Sequence, residues 1–158
     1  MPVLARAMFG LVNWAARKGL AESAAVPART TESGRRARRT GVRGETYAYW
    51  YLRRHGYVMV ARNFTARGIK GEIDLVGYDG ETLAFVEVKT RTSQRDDVGT
   101  PEDAVTDGKK RHLSRMARQF LREARAKNVP FRFDILAIEA LPGRRPVVRL
   151  HKGAFAAQ

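Results

Sequence analysis

Glu72, Asp74, Glu87 and Lys89 fall within the stretch GEIDLVGYDGETLAFVEVKTR, residues 71–91, among valines, leucines and isoleucines that read as two buried strands. A carboxylate beside a core is costly unless something offsets its charge. A divalent cation does so, because a bound ion reverses the repulsion between neighbouring acids. Oxygen-rich sites suit hard ions such as Mg²⁺, with Mn²⁺ as a substitute, and Mg²⁺ takes only one or two protein carboxylates at about 2.0–2.1 Å. Lys89, two residues beyond Glu87, points to the same side of its strand. There its ammonium group can orient an attacking water or meet charge developing on a phosphorane. A Lewis acid, an activated water and a cation are the parts that hydrolysis of a phosphodiester needs.

A hairpin has to bring these groups together. Asp79-Gly80 is the preferred chemistry for the two central residues of a tight turn. That turn predicts Val76 opposite Leu83, Asp74 opposite Phe85 and Glu72 opposite Glu87. One face then carries Ile73, Leu75, Ala84, Val86 and Val88, and the other Glu72, Asp74, Phe85, Glu87 and Lys89. The apolar face accounts for folding. The acidic face does not, since like charges opposed across a ladder destabilise it. A slip of one residue would send Asp74 and Glu87 to opposite faces, so the shared face depends on the turn.

Around the hairpin, GETYAYWYLRRHG reads as a helix closed by Gly56, YVMVARNF as a strand and TARGIKG as a basic loop. RTSQRDDVGTP is a polar loop ahead of a helix expected from about Glu102 to Lys127, and Leu113, Met116, Ala117, Phe120 and Leu121 fall on its apolar side. FRFDILAIEA is a core strand and PVVRLHKGAF an edge strand. The order implies an α/β fold, a mixed central sheet flanked by helices. Residues 41–158 form that domain. Residues 1–40 form a basic extension, with Leu4, Met8, Leu11, Val12 and Ala15 at helical spacing followed by an arginine-rich linker, suited to docking on a partner or a membrane surface.

The chain of 158 residues carries 30 Lys and Arg against 16 Asp and Glu, a net charge of +14 that favours polyanionic partners such as nucleic acid. It has no cysteine, which excludes disulfides and thiolate chemistry and is compatible with the cytoplasm. No apolar run reaches the roughly 18 residues of a transmembrane helix.

Asp74, thirteen residues ahead of Glu87-Val88-Lys89, matches the D…ExK pattern of the PD-(D/E)xK nuclease superfamily. The strings GETYAYWYLRRHGYVMVARNF, GEIDLV, FVEVKTR, GTPEDAVTDGKKRHL and RFDILAI together resemble the YraN family, bacterial proteins described as predicted endonucleases similar to Holliday-junction resolvases. The resemblance spans about residues 41–139. It implies a restriction-endonuclease-like core and a Mg²⁺-dependent endonuclease acting on DNA, branched or structured DNA included and RNA left open, that works as a homodimer. It also implies Asp74, Glu87 and the Val88 carbonyl as metal ligands and Lys89 as the residue that positions the water. Glu45, on the first helix, matches the acidic residue that completes the metal site in resolvase-like members. Glu72 stays outside this set. Arg67, Lys70, Arg91, Lys109 and Lys110 are the candidates for contact with the phosphate backbone. A nucleic-acid-binding module without turnover, or an adaptor in a DNA-processing assembly, is the alternative that the same residues leave open.

Overall fold

A computed structural model describes residues 32–92 and 105–158. The amphipathic stretch at residues 1–20, most of the arginine-rich linker and most of the polar loop before the second helix lie outside the described residues. The elements run α1 (Glu32–Arg54), β1 (Val58–Ala66), β2 (Ile69–Asp79), β3 (Thr82–Arg91), α2 (Asp107–Glu123), β4 (Phe131–Glu139) and β5 (Val147–Phe155). They form a single mixed sheet in the order β1-β2-β3-β4-β5, parallel between β3 and β4 and antiparallel elsewhere. This α/β arrangement is the one expected of a restriction-endonuclease-like core. No helix among the described residues is long and apolar enough to cross a membrane.

Helix α1 already begins at Glu32, so it takes in part of the segment read as linker. Its end is set by Gly56 at φ +86°, as expected. Tyr57 N–H donates to Leu52 O at 3.0 Å and Gly56 N–H to Arg53 O at 3.2 Å. This is the paired bonding of a Schellman cap, with Leu52 and Tyr57 packed in one apolar cluster. Helix α2 is shorter than its periodicity suggested. Thr106 caps it by accepting the Lys109 N–H at 3.3 Å, and it ends at Glu123, short of Lys127.

Two apolar layers hold the helices on the sheet. Leu113, Met116, Ala117 and Phe120 of α2 pack with Phe64, Val76, Phe85 and Phe133. Phe120 meets Phe64 and Phe85 edge to face at 4.9 and 5.6 Å. In the other layer Ala48 and Leu52 of α1 pack with Leu75, Ala84, Val86, Leu136 and Ile138. Successive β3 residues thus serve opposite layers, Phe85 that of α2 and Val86 that of α1. Burying each such side chain contributes about 1.5–3 kcal/mol.

The hairpin differs from its expected pairing. Asp79 pairs with Thr82, Tyr78 with Leu83, Val76 with Phe85 and Leu75 with Val86. The turn is therefore Gly80-Glu81, with Gly80 at φ +60°, and not Asp79-Gly80. The pairing moves by two residues, which leaves every side chain on its expected face. It places Asp74, rather than Glu72, level with Glu87. The TARGIKG stretch is also less of a loop than expected, because Ala66 already pairs with Ile69 across Arg67-Gly68.

Candidate active site at the open end of the hairpin

Asp74 and Glu87 sit just past the last paired residues of β2 and β3. The paired register stops at Leu75 and Val86. Beyond it the Val88 N–H donates to Asp74 Oδ2 at 2.7 Å, so a side chain takes the bond a neighbouring strand would otherwise supply. The strands part here, and the carboxylate of Asp74 fills the fork.

Glu87 is 6% exposed. Its Oε1 accepts from Lys89 Nζ at 2.9 Å and lies 3.3 Å from Lys109 Nζ. Its Oε2 is buried without a partner. A buried carboxylate oxygen left unpaired is costly, so the geometry favours a further positive ligand at that atom. Asp74 is instead disfavoured as a charged group by its surroundings. Burial, and then the charge of Glu87, raise its carboxyl far above the usual range; Glu45 adds to the rise, while the Val88 N–H and Lys109 oppose it.

Glu45 reaches the site from α1. Its carboxyl is raised by burial, lowered by a hydrogen bond from Asn63, raised again by Glu72 and Glu87 and lowered by Arg62. The helix approaches this closely because of Gly44, where a Cβ would run into the Thr90 hydroxyl on β3. Arg62 fastens the same stretch by donating to Thr46 Oγ1 at 3.2 Å, its guanidinium 4.9 Å from the centre of the Tyr49 ring. Gly71, at φ +95°, lies near the start of β2, where a Cβ would meet the His112 ring at 2.8 Å.

The structure thus gathers Glu45, Asp74, Glu87 and Lys89, with Val88 present through its backbone. It adds Lys109, expected only as a phosphate contact. Lys110 turns away and pairs with Asp107 at 3.2 Å. Arg67 lies in the β1–β2 turn and Lys70 at the start of β2, both exposed. Arg91 ends β3, its carbonyl accepting from Ala140 N–H at 2.8 Å. Asn63 is the site residue that sequence reasoning missed. It is in the left-handed region at φ +49°, donates to Glu45, and keeps a buried Oδ1 without a partner. An asparagine inside a run that otherwise reads as strand was the available signal, since asparagine tolerates that backbone better than its neighbours.

Among the described residues no three carboxylates or histidines converge as a ready-made metal cage. The donor set is instead two close carboxylates, Glu87 with an unpartnered oxygen and Asp74 with its carboxyl raised by burial and by Glu87, and a third near enough to feel their charge. That suits an ion which keeps most of its own waters.

Residues 44–138 match the model of a family described as "Uncharacterised protein family UPF0102". The chain belongs to this family, the YraN family. The matched span runs from Gly44, where α1 meets β3, to the end of the core strand β4. A UPF0102 protein of Koribacter versatilis is 47% identical over 117 residues, 74% of this chain and 79% of that one. One of Symbiobacterium thermophilum is 44% identical over 119 residues, 75% of this chain and 98% of that one. One of Geobacter metallireducens is 44% identical over 115 residues, 73% of this chain and 90% of that one. These UPF0102 relatives carry no activity in their names, so the chemistry has to be argued from the residues.

Proposed function

We propose that the chain is a metal-dependent endonuclease that hydrolyses phosphodiester bonds in DNA. The observation that carries this reading is Glu87. It is buried, held on one oxygen by two lysines and unpartnered on the other, and it stands beside a second carboxylate whose charge it opposes. A purely structural carboxylate would be satisfied on both oxygens. The residues fit Mg²⁺ or Mn²⁺, with Asp74, Glu87, the Val88 carbonyl and Glu45 as the groups that would hold it. Such an ion would supply Lewis acidity toward the phosphate and the attacking water.

The protein's own groups do the rest. The Val88 N–H fixes Asp74. Lys89 is anchored by Glu87, and its remaining N–H donors are free to orient a water and to meet negative charge developing on phosphorus. Glu45 closes the site from α1, its carboxyl held above the ordinary glutamate range chiefly by burial. The net charge of +14 holds a polyanion over a patch that would otherwise repel it.

The test is cleavage of labelled four-way junctions, flaps, duplex and single strands by the full chain and its Asp74→Asn/Lys89→Ala variant, in Mg²⁺, Mn²⁺ or EDTA. Metal-dependent cutting by the wild type alone is the expected result. Binding without cutting by both proteins on every substrate would replace the nuclease with a binding module.

A further inference from the structure

Lys109 and Lys110 are adjacent on the first turn of α2, yet they do different things. Lys110 pairs with Asp107 on its own helix, as surface lysines usually do. Lys109 passes over that local acid and reaches a buried one on β3, with its Nζ 3.3 Å from Glu87 Oε1. Its backbone is fixed at the same time by the Thr106 cap, so the reach is built into the start of the helix. With Lys89 on the same oxygen, Glu87 is gripped from two sides and presents only Oε2 to the cluster. Both lysines remain about one-third exposed, 36% and 37%, and so stay within reach of a ligand.

We propose, building on the metal-dependent reading above, that Lys109 is a second lysine of the site, and that it sets the local charge so that a divalent ion loads tightly only together with a phosphodiester. With all five groups ionised, as binding of an ion requires, Glu45, Asp74 and Glu87 against Lys89 and Lys109 leave one net negative charge. Glu72 and Arg62 act on Glu45 with opposite signs and leave this balance unchanged. A divalent ion alone overshoots by one positive charge, and one phosphodiester restores neutrality. Without Lys109 the ion alone would neutralise the site. Lys109 is thus a positioning residue for Glu87 and a regulator of loading, which keeps the ion from settling firmly where no backbone is present.

The test is calorimetric titration of the full chain with Mn²⁺, alone and in dimethyl phosphate, an uncleaved phosphodiester of one negative charge. Wild type, Lys109→Met and Lys109→Arg are compared. Wild type should bind Mn²⁺ several-fold more tightly in dimethyl phosphate. Lys109→Met should bind Mn²⁺ alone about fivefold more tightly than wild type, the effect of removing one nearby charge at a partly exposed site, and should lose most of the enhancement. Lys109→Arg should behave as wild type, which a merely structural contact would not ensure. Equal Mn²⁺ affinity in wild type and Lys109→Met overturns this proposal and leaves the nuclease reading standing, as does tighter binding with the enhancement intact. Absence of Mn²⁺ binding by all three proteins, with or without the phosphodiester, overturns both.

Discussion

The β2–β3 hairpin has a carboxylate cluster at each end, and the two are completed differently. One runs from Asp79 at the turn across to β4, where Asp134, level with Val86, is fully buried. It accepts from Arg132 Nε at 2.8 Å and Gly153 N–H at 2.9 Å on one oxygen, and from an Arg132 terminal nitrogen at 3.1 Å and Tyr57 OH at 3.4 Å on the other. Asp79, beside the turn, accepts from Arg132 at 2.6 Å and Lys152 at 2.7 Å, bonds that hold its carboxyl below the ordinary range. At the open end, Glu87 has an unpartnered oxygen and Asp74 is pushed the other way, by burial and by Glu87. One sheet therefore carries a closed network and an open one. The closed cluster shows that this fold can satisfy a buried acid fully, which sets the unpartnered oxygen of Glu87 apart and is what the proposed ion site would explain.

The largest expected effect tests the closed end. Asp134→Ala leaves Arg132 Nε, the Tyr57 OH and the Gly153 N–H without their acceptor and should cost about 3–5 kcal/mol in urea unfolding. A loss below about 1 kcal/mol would mean that the network contributes little, and the contrast would fail.

At the open end the same kind of change should have the opposite sign. Asp74→Asn keeps an oxygen for the Val88 N–H and removes a repelled charge, so the metal-free variant should be at least as stable as wild type. What it should lose is stabilisation by the ion, about 2.7 kcal/mol for wild type at a hundredfold excess of Mg²⁺ over its Kd. A thermal shift with Mg²⁺ that survives the substitution would remove Asp74 from the site.

Gly44→Ala presses a methyl group into Thr90 and should cost about 1–3 kcal/mol. It should also weaken Mn²⁺ binding, because Glu45 moves with the helix. Adding Thr90→Ala should restore part of both losses, and an additive double variant would argue against the contact.

The two ends should also part in their pH dependence when divalent ions are absent. Asp74 has a raised folded value, so its contribution is present below the unfolded value, near pH 4, and is lost as the pH rises through the folded one. Asp79 has a lowered folded value, so its contribution is present above the unfolded value and is lost as the pH falls through the folded one. Asp74→Asn should therefore gain on wild type toward alkaline pH, while the deficit of Asp79→Asn should shrink toward acid pH. Parallel profiles for the two variants would erase the distinction. The smallest effect is expected at the exposed Arg149–Glu139 pair, 3.5 Å apart, where Arg149→Ala should change stability by less than about 0.5 kcal/mol.

Alternation made the faces of the hairpin legible without its register. A turn placed at Asp79-Gly80 and one at Gly80-Glu81 differ by two residues in pairing, and a period of two cannot tell them apart. With the turn at Gly80-Glu81, Asp79 stays in β2 and is held by Arg132 and Lys152, partners that lie 53 and 73 residues away. The start of α2 is illegible for a more local reason, since apolar spacing says nothing about which residue caps, and the cap is Thr106. Lys109 then reads as one basic residue in a run, because its reach to Glu87 follows only from the cap. Gly44 was legible as a member of a motif, but its cause, the Thr90 hydroxyl on a strand far along the chain, was not.

The absence of a side chain at Gly44 has a mechanical consequence. Helix α1 rests on β3 there with no cushion between them, and Glu45 is the next residue. From Glu32 to Glu45 the helix is a rod of about 20 Å. Whatever engages the chain ahead of Glu32 therefore holds the long arm of a lever whose fulcrum is Gly44 and whose short arm carries one acid of the site.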